Sequence, residues 1–530
     1  MDSEPASSLI NRVAMGDTLR RRARSSGDAV ALADYGVDPP QLMTYRQLHL
    51  RSNRMARALM DHGASKGDRV TLLSPNCNDV PAVMYACLKA GLVYVPLNTS
   101  MGEEDLGYIV GHAAPSCAIV HPAFVETWDR IGKNLPAGSR TFVLGGEDRG
   151  DVPALEPLLD AVSSDDILDV AIADRDPAQI LYTSGTTSRP KGALHTHLSM
   201  TLWSLSMALA FEMAQGDSEL CPLPLFHIGG ESHMLMCHQV GGTFAYAPFE
   251  PALYAHVIEK ERVAGIFLLP MMWKALLDLP DIERRDFKSL KWALYAMAPM
   301  SDQVLNRLRQ VFGAKFLQAS GQTETSIMTL FDSGSDTQFP GGNYWGRPIA
   351  TAEQAVLGED GQELEPGEVG EICWRGPTIQ SAYYKNEAAS AEAVRHDWHH
   401  SGDLGLIDGN GQLLFVDRKK DMVKSGGENV SSIRVEQVIC GVKDVTAVAV
   451  IGLPHPKWGE AVSAFVTVRS GATTTADEIA EACRGKLSRY EIPKHIEIVA
   501  ALPMTSSGKV LKHELRKRHA GLYGDGSAGS

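Results

Sequence analysis

Short apolar runs of strand character alternate with segments of helical period from the start of this chain, and that alternation restricts the folds open to it. Tyr45, Leu48, Ser52, Met55 and Leu59 step by three and four, the spacing of one helix face. Residues 70–73 then read as a buried strand, 80–90 as a helix that Gly91 stops, and 93–96 as another strand. The pattern recurs at 252–263 into 266–269 and at 291–295 into 301–312, where Ser301 suits an N-cap. Repeated helices and apolar strands predict layered α/β domains with largely parallel sheets. At 530 residues the chain exceeds a single core, so two or more domains are expected.

The character changes after about residue 350. Residues 353–357 and 371–374 look like strands around the turn Glu359-Asp360-Gly361, and 412–416 follow Asp408-Gly409-Asn410-Gly411. A smaller β-rich subdomain is expected there. The charged run Asp-Arg-Lys-Lys-Asp from Asp417 marks a hinge. It divides a large domain, 1–417, from a small mobile α+β domain, 418–530, of which 521–530 reads as a disordered Gly/Ser tail.

A net charge of −14 argues against general nucleic-acid binding, which needs a basic surface. Eight scattered cysteines with no C-x-x-C pair read as core thiols in a reducing compartment, with neither a metal cluster nor a disulfide framework. The acidic start Met-Asp-Ser-Glu-Pro lacks a signal-peptide pattern. Lys89 and Gly91 interrupt the most apolar stretch, 81–97, so no membrane span is expected. These features predict a soluble cytoplasmic protein.

The richest segment chemically is Tyr182-Thr-Ser-Gly-Thr-Thr-Ser-Arg-Pro-Lys-Gly192. Residues 180–182 read as a strand and those from His195 onward as a helix. A loop of small hydroxyl residues and glycine between them can wrap N–H and O–H groups around phosphate oxygens. Thr183, Ser184, Gly185, Thr186 and Thr187 would supply those groups, and Lys191 adds a point charge. It is not a Walker A loop, since neither Ser nor Thr follows Lys191 and the glycine spacing differs.

Further segments follow: Pro224-Leu-Phe-His227, Tyr295-Ala-Met-Ala-Pro-Met300, Ser320-Gly-Gln-Thr-Glu324, Ser401-Gly-Asp403, Asp417-Arg-Lys-Lys-Asp-Met-Val-Lys-Ser-Gly-Gly427 and Ser507-Gly-Lys509. In this order, across residues 15–518, the chain resembles the adenylate-forming enzymes: acyl-CoA synthetases, aryl-CoA ligases, peptide-synthetase adenylation domains and beetle luciferases. The family usually has glycine where this chain has Ser188.

The resemblance implies an acid:CoA ligase that uses ATP, Mg²⁺ and coenzyme A. It places Thr186 and Lys509 among the catalytic groups, with Lys509 holding carboxylate and α-phosphate in line. Glu324 becomes the Mg²⁺ ligand, a carboxylate oxygen suiting a hard ion, and Thr323 a hydrogen-bond partner of the α-phosphate. Ala296, Met297 and Ala298 line the adenine and acyl sites, Gly321 and Gln322 continue the nucleotide site, Asp403 accepts the ribose hydroxyls and Arg418 contacts ribose or phosphate. His227 orients the acid and gates its entry. Rotation about Lys420 brings Lys424 and the Gly426-Gly427 loop to the site, so that a pantetheine thiol can replace AMP.

The acyl pocket is expected within 226–236, 294–300 and 322–327, with His227, Gly229, Gly230, Met234, Met297, Ala298, Gln322 and Ile327 against the acid. No lysine or arginine occurs in these segments, so a hydrophobic monocarboxylic acid is expected, with Glu231 available to read a hydroxyl or amine. Ser320 stands where the family usually carries an aromatic ring that stacks on adenine. That departure opens the alternative of an enzyme of the second half-reaction alone. A separate alternative is an enzyme that adenylates the acid and loads a carrier protein. A non-catalytic nucleotide sensor is disfavoured by the joint presence of Lys509, Glu324 and Asp403. The resemblance suggests a homodimer.

Overall fold

The computed structural model describes residues 9–162, 170–183, 189–296, 300, 302–334, 343–504 and 510–523. Thr44 starts the helix Tyr45–Asp61 through a capping box with Gln47, and Tyr45, Leu48, Ser52, Met55 and Leu59 are all buried along it. The helix Asp79–Ala90 is buried on nearly every face, and Gly91 ends it at φ 66°, a left-handed position that suits glycine.

Among the described residues, strands form sheets of fourteen, seven and five strands. In the seven-stranded sheet Arg69–Leu73 lies between Val93–Pro96 and Cys117–Val120, all parallel. In the fourteen-stranded sheet Gly265–Leu268, Trp292–Tyr295 and Lys315–Gln322 run parallel in series. Parallel order holds in these centres and ends at two reversals. Lys315–Gln322 turns back on Ser326–Asp332, and Pro177–Thr183 turns back on Lys191–Thr196. Both hairpins carry candidate site residues. The β-rich stretch expected after residue 350 extends the large sheet, because Asn343–Pro348 bridges Ser326–Asp332 to Leu413–Arg418.

Beyond Arg418 the chain enters the five-stranded sheet, whose long hairpin is Val445–His455 with Gly459–Val468. The helices Ser432–Cys440 and Ala476–Cys483 close a separate core around Val435, Ile439, Val450, Val462 and Ile479. The fold is thus the expected one: a large α/β N-terminal part and a small α+β C-terminal domain. No helix among the described residues is long and apolar enough to cross a membrane.

The folded chain runs further than expected. Residues 521–523, assigned above to a disordered tail, pack through Tyr523. Its ring lies 4.9 Å from His455 and its hydroxyl 3.2 Å from Ser463 Oγ. One buried aromatic side chain recovers enough apolar area to offset ordering so short a segment.

Candidate active site

The first hairpin aligns Thr183 with Lys191 and Tyr182 with Gly192. Lys191–Thr196 is a strand, so the helix expected from His195 starts instead at His197, capped by Thr196. The strand's burial lacks the simple alternation that marks a half-exposed strand, which hides it in the sequence. The loop therefore joins two antiparallel strands rather than a strand and a helix. Ser184, Gly185, Thr186 and Thr187 lie outside the described residues, as do Met297, Ala298 and Lys509.

The second hairpin pairs Gln322 with Ser326 and carries Thr323, Glu324 and Thr325 at its tip. Gly321 permits this closure, since a Cβ there would sit 2.1 Å from the Ser326 carbonyl oxygen. His195 ties the two hairpins together: its Nε2–H donates to the Thr323 carbonyl over 2.8 Å. Burial pushes this imidazole down to about 4, so it stays neutral near pH 7. Tyr383, on the short strand Ala382–Tyr383 beside Ala193 and Leu194, donates to Glu324 Oε1 over 2.7 Å. Its ring lies 5.2 Å from Lys191 Nζ. Burial and the adjacent Glu324 carboxylate keep the Tyr383 phenol protonated.

One carboxylate with phosphate oxygens and waters is the usual holding of Mg²⁺, and Glu324 beside Thr323 and Lys191 fits that habit. No cluster of three or more metal-ligating side chains occurs among the described residues, so the remaining ligands would come from ATP and water.

The third corner sits between the strands Trp398–Ile407 and Leu413–Arg418, where Asp403 faces Arg418 across the ladder. Gln322 Nε2 donates to Asp403 Oδ2 over 3.0 Å and to the Ser401 carbonyl over 2.8 Å. Arg418 Nε lies 3.6 Å from Asp403 Oδ1. Lys420 lines the same cleft, its ammonium pushed down in pKa first by burial and then by Arg418. Ser320 also lines it, with Oγ 2.6 Å from Thr329 Oγ1 and no ring to offer a base.

These corners open onto one cleft of about 1320 Å³. Its apolar wall includes Phe226, Ile228, Gly229, Phe267, Leu294, Ala296 and Ile327. His227 caps the helix Ile228–Val240, with Nδ1 accepting from Gly229 N over 3.0 Å. In the neutral ring this places the proton on Nε2. Of the other residues expected at the acid, Gly230 and Met234 do not line the cleft. Gly230 packs the helix start on the Pro224 carbonyl, 2.5 Å from where a Cβ would lie, and Met234 joins the core. Glu231 is fully buried against the Gln179 amide, away from the cleft. Burial pushes its carboxyl up to about 8. It therefore does not read the acid's hydroxyl or amine, because helical period turns it from the face that Ser232 and His233 share with the cleft.

From the small domain, Met504, Val510, Lys512 and Arg516 line the cleft. Lys424 and Gly426-Gly427 belong to an exposed hairpin, Val423–Ser425 with Glu428–Val430, that does not line it. Both glycines have positive φ, 63° and 89°, as a tight two-residue turn requires. Sequence reasoning missed Tyr383, His195 and a buried pair, Glu219 with His233. His195 and His233 stand beside apolar neighbours, a weak signal, and Tyr383 and Glu219 carry none.

The model of the AMP-binding enzyme family matches residues 19–384, and that of the AMP-binding enzyme C-terminal domain matches 434–509. The chain is 34% identical over 500 residues to a feruloyl-CoA synthase from Amycolatopsis sp, covering 94% of this chain and 97% of that one. It is 31% identical over 515 residues to the long-chain-fatty-acid–CoA ligase FadD13 of Mycobacterium tuberculosis, with coverage of 96% and 98%. ATP-bound MatB from Rhodopseudomonas palustris superposes with a TM-score of 0.86 at 27% identity, over 96% of this chain and 99% of that one.

Proposed function

This chain belongs to the AMP-binding, adenylate-forming enzyme family, and on that premise we propose that it joins a hydrophobic monocarboxylic acid to coenzyme A. It is an AMP-forming acid–thiol ligase that uses ATP, Mg²⁺ and coenzyme A, as its relatives named acid–CoA ligases do. The observation that carries the substrate reading is the division of the cleft: cationic and carboxylate groups meet at Lys191, Glu324, Asp403 and Arg418, and an apolar wall adjoins them.

In the first step an oxygen of the acid's carboxylate attacks the α-phosphorus of ATP and pyrophosphate leaves. Asp403 accepts the ribose hydroxyls, with Gln322 and Arg418 fixing its carboxylate. Thr183 to Thr187 and Lys191 hold the phosphates, and Lys509 bridges carboxylate and α-phosphate. Thr323 donates to the α-phosphate while His195 fixes its backbone. Glu324 would hold Mg²⁺, which would supply charge neutralisation on the phosphates and the leaving group. His227, its ring turned by the Gly229 N–H, orients the acid at the mouth of the apolar wall.

In the second step the thiol sulfur attacks the acyl carbon and AMP leaves. The segments flanking 505–509 face the cleft here and the 423–430 hairpin does not, an arrangement suited to the first step. Rotation of the small domain, 418–530, against the large one, 1–417, about Lys420 exchanges Lys509 for Lys424 and the Gly426-Gly427 turn. We place the enzyme in the cytoplasm, as a homodimer.

The test is a matrix of carboxylic acids with MgATP, assaying pyrophosphate release and thioester formation separately. The reading expects a hydrophobic acid to drive both, Lys509→Ala to lose the first, and Lys424→Ala to lose mainly the second. A dicarboxylate as best substrate would sink the acid class. Thioesters formed only from supplied acyl-adenylates would assign the chain to the second half-reaction and point to Ser320.

A further inference from the structure

The wall of the acyl side is largely apolar, and one polar group in it is paired with a buried carboxylate. His233, on the helix Ile228–Val240, lines the cleft together with Phe267 and Leu294, yet its side chain is fully buried. Its Nδ1 lies 2.6 Å from Glu219 Oε1, and Glu219, on the strand Ser218–Leu220, is buried as completely. The second carboxylate oxygen faces Cys237 Sγ at 3.7 Å. The imidazole is clamped between two rings, with Phe211 edge-on at 5.5 Å and Phe267 tilted at 4.9 Å. Its Nε2 has no hydrogen-bond partner among the described residues.

A buried polar atom without a partner is destabilising, and a buried carboxylate used only to orient that ring adds its own desolvation cost. Such a pair is out of place in a wall meant only for hydrocarbon. It is in place where a ligand completes it. The carboxylate fixes the ring's rotation and takes its Nδ1–H, which leaves Nε2 as the one atom of the pair still to be satisfied.

We infer that the Glu219–His233 pair is a specificity site that recognises a hydroxyl on the tail of the acid, remote from the carboxyl group that is activated. This rests on the acid:CoA ligase reading and narrows its substrate class to an apolar, ring-bearing or chain acid with a hydroxyl in its distal part. A hydroxyl suits either protonation state of the ring: it donates to a bare Nε2 and accepts from an Nε2–H. Both groups act on binding and positioning, and neither touches the reacting atoms.

The experiment compares matched acids that differ only in a distal hydroxyl, such as 3-phenylpropanoic acid and its 4-hydroxy derivative, with dodecanoic and 12-hydroxydodecanoic acids as chain counterparts. Thioester formation is followed at fixed MgATP and coenzyme A. The wild type is expected to prefer the hydroxylated member of a pair by about 10–100-fold in kcat/KM, the cost of leaving a buried polar atom unsatisfied expressed as a rate ratio. His233→Leu should erase or reverse that preference while leaving the KM for ATP unchanged. Glu219→Gln, which keeps the shape but not the charge, should reduce it. Equal or better use of the deoxy acids by the wild type overturns the inference and leaves the ligase reading standing, whether or not the variants fold. Absence of thioester from every acid, hydroxylated or not, overturns both.

Discussion

The two halves of the cleft hold their key groups in opposite ways. On the nucleotide side the functional side chains sit at the tips and edges of hairpins and are cross-braced: Tyr383 on Glu324, His195 on the Thr323 carbonyl, Gln322 on Asp403. Each brace is a short polar contact between separate segments of the chain, an arrangement that would preorganise the charges offered to ATP. On the acyl side the wall is mostly hydrocarbon from a helix start and strand ends, with the buried Glu219–His233 pair set into it. Chemistry common to every acid is held by bracing. The choice among acids is held by shape and by what is left unpaired.

That division makes a sharp demand: damage on the nucleotide side must lower the rate with every acid alike, and damage on the acyl side must re-rank the acids. Asp403→Ala carries the largest expected effect. It removes the ribose acceptor and frees the Gln322 amide, and should cut pyrophosphate release about 10²–10³-fold. Measured across the acid matrix, the loss should be uniform, and a loss that varies with the acid breaks the division. Gly229→Ala should do the reverse. The added Cβ would stand 3.2 Å from both His227 Nδ1 and Leu223 Cδ1, narrowing the wall. A pocket short by one methyl discriminates by roughly 10–200-fold. The bulkiest acids should lose that much kcat/KM while the KM for ATP holds.

Ser320→Tyr sharpens the same line from the nucleotide side. Serine offers adenine no stacking face, and an aromatic contact contributes roughly 0.5–1.5 kcal/mol beyond its burial. The substitution should therefore lower the KM for ATP by up to about tenfold, equally for all acids. No change would mean that the base does not lie over this position.

How far each half could be read from sequence follows from the same contrast. Motifs on the nucleotide side are legible because phosphate and ribose demand particular polar groups at turns, and turns carry distinctive residues such as Gly321 and Gly402. Their braces are not, since His195 and Tyr383 meet the second hairpin from 128 and 59 residues away. The alternation of helix and strand was legible wherever one face was exposed, as in Tyr45–Asp61. It failed at Lys191–Thr196, a strand with no clean alternation of burial. On the acyl side, apolar residues look the same whether they line a cleft or fill a core, so Met234 and Gly230 could not be told from Gly229. Glu231 and His233 share one helix turn, and only the direction of each side chain separates a packed carboxyl from a cleft residue.

Glu231 supplies the smallest effect, one of stability. Burial raises its folded-state pKa from 4.5 to about 8, with the Gln179 amide opposing that rise. Below pH 4.5 both the folded and unfolded chains hold this proton and the group contributes nothing to pH dependence. Between pH 4.5 and 8 the unfolded chain releases it while the folded chain keeps it, so stability falls as pH rises; above 8 the loss is constant. Glu231→Gln keeps the shape without the titration. Its Tm relative to wild type should therefore climb between pH 5 and pH 8, by several degrees at most for a chain this long. His195, His197, His238 and His399, pushed down to about 4 by burial, act in the opposite sense between pH 4 and 6.5, but they are present in both proteins and cancel in the difference. A Tm difference that stays flat from pH 5 to 8 would mean that Glu231 ionises in place and that water or a cation reaches it. The acyl side would then be wetter than its hydrocarbon wall implies.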